Sequence, residues 1–540
     1  MRTTRVLAIS WLAFVMSCSP APDPSGGGGS GGGGNPGGGP PLEVGEEQLF
    51  VEATDPANAD LDVDVQQAVT ITFNVPLFAP SVDAQSIFFT SPLGPVAGTL
   101  AVLDNEVTFT PAEDFPIASP ITGTVTTDVV GAYSEEMDDD YTWTFAIEST
   151  PVVIASGDGI EQPGVAVSAA GLVMAMWVQN DGGVYRLFAR PWEPATGWVE
   201  PTEFSVSGET ITNLKVFCTE NNEAVALWLE GDISPYTIRT ARFVAGEGWG
   251  ATETLTDSCT ITWMAFDVHR GGWGGAIYYV ITPEGARQHV RYLNADGTWN
   301  DPVDVMFWLD NLSAGGDGAL YSSYSITNPA TGTAITYATR YFPGEGLGYG
   351  NLDDTPGPAL FGSSADPEGA LAYFTCSGDV AIWKFDGSAW NQIGAIDLSD
   401  DGYHSLFADL ASAPAGEACM TWDFQRLGTL DRNLMGAFMD ADGNWTEAQV
   451  LESLDTWAFE AVAACTDAGQ GWIVFRQDDG AANSIWFARY VPGTGWEAAV
   501  EIDDDDFPSS APRLAAQGPG GCAVWLRANG TTQLMARIMN

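Results

Sequence analysis

A strand ending in Ala-Arg-aromatic runs into a Gly-Trp turn at Ala488-Arg489-Tyr490-Val491-Pro492-Gly493-Thr494-Gly495-Trp496. Versions of this stretch recur along the last two thirds of the chain. The turn falls at Gly197-Trp198, Gly248-Trp249, Gly297-Thr298-Trp299, Gly348-Tyr349, Gly387-Ser388-Ala389-Trp390, Gly443-Asn444-Trp445 and Gly495-Trp496. Successive aromatics lie 51, 50, 50, 41, 55 and 51 residues apart. A fixed period near 50 residues means stacked copies of one supersecondary unit.

Each copy reads as four short strands. The first is exemplified by Pro163-Gly164-Val165-Ala166-Val167, and the second is small and apolar with an aromatic end, as in Ala226-Leu227-Trp228. The third carries the arginine, as in Ala241-Arg242-Phe243, and the fourth follows the turn, as in Ala499-Val500-Glu501-Ile502. Four antiparallel strands per repeat, with no helical period, predict an all-β propeller over residues 150–540. Eight blades are expected, or seven if the degenerate unit around Tyr321 to Tyr324 or the short fifth unit is not a full blade. The first three strands occur eight times, but the fourth follows a Gly-Trp turn only seven times. The missing strand is available at Pro151-Val152-Val153-Ile154-Ala155-Ser156. The expectation is that it completes the last blade and closes the ring, hiding edges that would otherwise be exposed. The arginines, one per blade at a fixed position, read as structural partners of acidic neighbours or of the turn Trp.

Residues 47–149 show a different pattern. Val69-Thr70-Ile71-Thr72-Phe73, Val107-Thr108-Phe109 and Tyr141-Thr142-Trp143-Thr144-Phe145 alternate apolar and polar residues, with Asp55-Pro56 and Asp104-Asn105 as turn signals. About seven such strands in roughly 100 residues make a β-sandwich. The order of features, from Asp55-Pro56-Ala57-Asn58-Ala59 through Asn74-Val75-Pro76-Leu77 to the closing Trp143 strand, resembles the bacterial Ig-like domains of surface-layer and secreted proteins. That resemblance implies spacing or display and carries no catalytic residues.

The N-terminus directs placement. Arg2 and Arg5 precede a short apolar run, Val6 to Met16, too short to span a bilayer and suited to an export signal over residues 1–17. It ends in Val15-Met16-Ser17-Cys18, which resembles the bacterial lipobox. The resemblance implies cleavage before Cys18 and its lipidation. Ser19 at the next position resembles lipoproteins sent to the outer membrane. Residues 18–46 are rich in Gly, Ser and Pro and act as a flexible tether, with a reach of roughly 25 Å for about 20 residues. A membrane contact through the lipid alone, on a monomer, is the expectation.

The charge limits the partners. With 71 acidic residues, 19 basic ones and only Lys215 and Lys384 as lysines, the net charge is −52. Nucleic-acid binding needs phosphate neutralisation and is excluded, as is a patch for anionic lipids. A protein or glycan ligand remains.

The exported context and six further cysteines, Cys218, Cys259, Cys376, Cys419, Cys465 and Cys522, suggest disulfides, with 15 possible connectivities. Cys465 with Cys419 or Cys522, and Cys218 with Cys259, are candidate pairs; buried free thiols are the alternative. The acidic clusters offer weak calcium candidates, Asp138 and Asp140 in one loop and Asp503 and Asp505 in another. Solvated charged turns are the favoured reading of both. No cofactor is implied. His269, His289 and His404 fall in different units without metal-ligand spacing. No Gly-x-Ser-x-Gly elbow or phosphate loop occurs.

The repeats resemble bacterial surface propellers related in shape to sialidases. The sialidase Asp-box is approached only by Asp296-Gly297-Thr298-Trp299 and Asp442-Gly443-Asn444-Trp445. Both lack its Ser and have different internal spacing. Two functions follow as expectations: a lipid-anchored binding or scaffolding propeller on an Ig-like stalk, or a glycan-active enzyme with paired carboxylates at the propeller axis.

Overall fold

A computed structural model describes residues 48–540 apart from 59–62, 64–65, 92–93, 113–114, 116–119, 148, 195, 306–308, 310–311, 328–333, 354–359, 367–368, 376–378, 386–387, 398–402, 427–431, 455, 504–506, 519 and 540. Cys18, its tether, Cys376 and Asp505 lie outside the described residues.

Residues 51–146 form two four-stranded antiparallel sheets. One runs, in spatial order, Val51–Asp55, Val69–Phe73, Glu106–Pro111, Gly98–Leu103; the other Gly94–Val96, Ile87–Ser91, Pro120–Val125, Tyr141–Ala146. The alternation seen in the sequence sets the inner face: Val69, Ile71, Phe73, Val107, Trp143 and Phe145 are all buried in one core. Trp143 meets Phe89 edge-on at 5.6 Å, a favoured aromatic geometry.

From Val152 onward, the described strands pair into seven antiparallel sheets: four of four strands, two of five, and one of eight that spans two repeat units. Adjacent units two and three share the long strand Glu253–Val268. Unit four (Ser313–Ala314, Leu320–Thr327, Ala334–Phe342, Gly346–Asp353) and unit five (Leu360–Asp366, Gly369–Thr375, Asp379–Phe385, Trp390–Asp397) each have four strands. The innermost strands pack side by side in a closed circuit. Ile160–Val167 lies beside Ile211–Cys218, then come the second half of Glu253–Val268, Ser313–Ala314, Leu360–Asp366, Tyr403–Ser412, Ala458–Cys465 and Ser509–Gln517, which packs back against Ile160–Val167. This is a propeller, and its second strands supply the cores between blades, where Trp228, Trp422, Trp472 and Trp525 are fully buried.

Val152–Gly157 closes the ring. It pairs antiparallel with Thr531–Met539, with Leu534 opposite Ala155 and Ala536 opposite Val152. The last blade is therefore built from both ends of the repeat region.

The recurring motif is structural. The turn glycines Gly197, Gly248, Gly297, Gly443 and Gly495 have φ between +70° and +103°, a backbone region that favours glycine. The Trp folds back onto the third strand, as in Trp192 opposite Trp198 and Tyr490 opposite Trp496. In the fourth unit the turn glycine is Gly346, opposite Phe342, rather than the expected Gly348. Leu347 holds the register position of the Trp, so the aromatic that marked this unit sits two residues beyond the tight turn. The arginines clamp neighbouring blades. Arg190 Nη1 donates to the Ile154 carbonyl of the closing strand at 2.9 Å, and Arg291 Nη1 to the Leu255 carbonyl at 2.8 Å. Arg489 instead forms a two-point pair with Glu497.

The expected disulfides are absent among the described residues: Cys218, Cys259, Cys419, Cys465 and Cys522 are buried thiols outside any disulfide. Cys218 and Cys259 belong to separate interblade cores. Cys419 Sγ donates to the Ala464 carbonyl at 3.2 Å and Cys465 Sγ to the Ala411 carbonyl at 3.3 Å. The spacing that brought first- and second-strand cysteines together places each thiol against a neighbouring blade's backbone.

Candidate functional site: the axial channel

The first strand of most blades contains a bulge. Register shifts occur between Glu161 and Gly164, Thr212 and Lys215, Phe459 and Val462, and Ser510 and Arg513. Within them Gln162, Asn213, Glu460 and Ala511 take left-handed φ values of 52° to 56°. A bulge re-aims the side chains that follow it. Here it sets which residues face the axis.

The axis is open. A cavity of about 480 Å³ is lined by the innermost strands of seven blades, from Val165 in the first to Gln517 in the last. A second cavity of about 530 Å³ has Lys215, Asp409, Glu460 and Arg513 in its wall. Asp409 lines both. Volumes of this order suit small-molecule ligands.

Much of the wall is alanine, but it carries charges. Asp267 Oδ2 accepts from the Ala314 N–H at 2.8 Å. Asp409 Oδ2 accepts from the Ala463 N–H at 2.9 Å, and Glu460 Oε2 from the Ala511 N–H at 3.1 Å. In each case a carboxylate of one first strand pins the first strand of the next blade. Burial pushes the Asp267 carboxyl up to about 6 against the pull of its hydrogen bonds and of Lys215. It raises Asp409 too, although Lys215 and Arg513 pull the other way. Enclosure by the propeller lowers both Lys215 and Arg513, even though their side chains are exposed within the channel.

One mouth is bridged. Arg270 follows the first strand of blade three, and Asp467 that of blade seven, opposite it in the ring. The guanidinium meets the carboxylate at 3.1 and 2.8 Å, and its Nε meets Glu220 at 2.6 Å. His269 next to it stacks on Trp273 and is held neutral, at about 4, by burial and by Arg270.

The other sequence candidates lie apart from the channel. Asp138 and Asp140 are exposed in an Ig-like-domain turn, where Asp140 Oδ1 accepts from the Thr127 N–H at 2.9 Å. Asp503 is buried and accepts from the Ile485 N–H at 3.0 Å. Among the described residues no three metal-ligating side chains converge. His289 pairs with Asp304 at 2.7 Å, and His404 falls in the first strand of blade six. The channel residues themselves were not singled out as a site from the sequence. Their signal was charge in otherwise apolar first strands, above all one of only two lysines in the chain.

Residues 46–147 match the family model described as a bacterial Ig-like domain. This assigns the N-terminal sandwich to that family. No curated protein matches the chain. Among solved structures, the chain is similar to the polysaccharide lyase Uly1, at 12% identity and a TM-score of 0.40, over 72% of this chain and 91% of that one. It is similar to the β-propeller domain of the Trilobed protease from Pyrococcus furiosus, at 8% identity and a TM-score of 0.40, over 65% and 97%. A variant of the NanB sialidase from Streptococcus pneumoniae aligns at 8% identity and a TM-score of 0.33, over 91% and 93%.

Proposed function

We propose that this is an exported lipoprotein, held at the outer membrane through Cys18, that displays a ligand-binding propeller beyond a flexible tether and an Ig-like domain. The axial channel is the binding site. The observation that carries this is the axial space itself: small side chains leave it open, and a few charged groups face into it. A binding screen of the full chain against glycans and proteins, with and without calcium, tests the reading. Binding should be lost when the channel is filled by Ala461→Trp in a protein that keeps its melting temperature. Ligands that bind this variant normally would place the site elsewhere. Mass spectrometry should find the mature N-terminus lipidated at Cys18; an unmodified Met1 would overturn the anchor.

One observation favours a second, glycan-active reading. Asp267 and Asp409 line the same cavity, and a carboxyl held near 6 suits a proton donor close to neutral pH. Cleavage of a polysaccharide panel by the wild type and not by Asp267→Asn would establish it. Intact polysaccharides would leave binding alone.

A further inference from the structure

We propose that the channel holds an anionic group between Lys215 and Arg513. This rests on the channel being the ligand site. Both residues occupy the same position in their blades, immediately after the first-strand bulge. They belong to blades two and eight, which flank blade one. The matching position in blade one is Gly164, which contributes no side chain there. A Cβ added there would meet only Val216, at an ordinary 3.4 Å.

Neither cation is neutralised in the usual way. Among the described residues Lys215 makes no ion pair or hydrogen bond, and Arg513 donates to the carbonyl of Pro512, at 2.8 Å. The nearby carboxylates are already engaged. Glu460 pairs with Arg476 at 3.2 Å and caps the Ala511 N–H, and Asp409 accepts from Ala463. Burial disfavours both charges, and Arg513 adds to this at Lys215, while Asp409 and Asp267 favour the Lys215 charge and Glu460 and Asp409 that of Arg513. In a chain of net charge −52, two cations set on either side of a glycine are poorly explained by stability alone. An oxyanion seated over Gly164 would meet both a guanidinium fork and an ammonium point charge. The ligand class is a small molecule, or the end of a longer one, bearing a carboxylate or sulfate.

Calorimetric titration of the full chain with D-glucuronate, sodium sulfate and D-glucose distinguishes the cases. Glucuronate binding with sulfate inert identifies a carboxylated sugar, and binding of both identifies a general oxyanion site. Glucose should not bind measurably. Lys215→Gln and Arg513→Gln should each weaken the anion about 10- to 100-fold. They should leave the melting temperature of the free protein unchanged or raised, because burial disfavours both charges. If neither anion binds the wild type, or if either variant binds it normally, the proposal fails. Normal binding by both variants together with loss in Ala461→Trp would refute the cation site while keeping the channel. Normal binding in Ala461→Trp would refute the channel as well. A drop in melting temperature in both Gln variants, with no change in affinity, would assign the cations a structural role.

Discussion

Ring closure by Val152–Gly157 makes a measurable demand on Ile154. Its side chain is 3% exposed and shares a core with Trp177, Trp192, Val524 and Leu534, joining blades one and eight. Ile154→Ala deletes three carbons. At about 0.8 kcal/mol for each buried methylene, transfer alone accounts for roughly 2.4 kcal/mol. The cavity term brings the expected loss to about 3 kcal/mol. The backbone hydrogen bonds to Thr531–Met539 and the Arg190 clamp on the Ile154 carbonyl are kept, so the loss should come from packing. Equilibrium urea unfolding followed by Trp fluorescence gives the stability. Hydrogen exchange gives the location: peptides covering 531–539 should lose protection together with 152–157, although they lie far apart in sequence. A loss below about 0.5 kcal/mol, or faster exchange confined to 152–157 while 531–539 stays protected, would refute the closure.

Three further outcomes are expected. The Asp267 carboxyl is raised from 3.8 to about 6 in the fold, so the folded state binds its proton more tightly than the unfolded chain. The stability this contributes is full below about pH 4 and is lost as pH rises through 6; urea midpoints should fall less steeply across that window in Asp267→Asn, and an unchanged slope would contradict the assignment. Asp467→Asn should destabilise the propeller by about 1–3 kcal/mol through the Arg270 bridge, with a double-mutant cycle against Arg270→Met showing coupling; additive effects would mean the bridge contributes nothing. The thiols of Cys218, Cys419, Cys465 and Cys522 are buried, that of Cys218 pushed up to about 12; they should react with Ellman's reagent only after unfolding, whereas rapid labelling in the native protein would show them accessible.

Architecture was legible because it is written in periodic features. The Gly-Trp turn needs a glycine with positive φ and an aromatic that folds back, and both recur in the sequence every 40–55 residues. The surplus strand at Val152 could be recognised by counting. The fourth unit was harder, because its turn uses Gly346 with Leu347 in the Trp register. The channel was not legible in the same way. Which side of a first strand faces the axis depends on the bulge, and the bulged residues Gln162, Asn213, Glu460 and Ala511 share no residue type. Lys215 and Arg513 therefore become neighbours only when eight first strands are laid in a circle. The cysteines illustrate the converse: sequence spacing put pairs of them in adjacent blades, but the backbone carbonyls at Ala411 and Ala464 received the thiols.

The central expectation is that ligand binds in the axial channel. Hydrogen exchange of the full chain, with and without the best ligand from the screen, tests this directly. Protection is predicted in the first-strand peptides that line the axis, around 409–414, 463–467 and 514–517, with the Ig-like domain unchanged. Protection confined to outer strands or to residues 51–146 would contradict it.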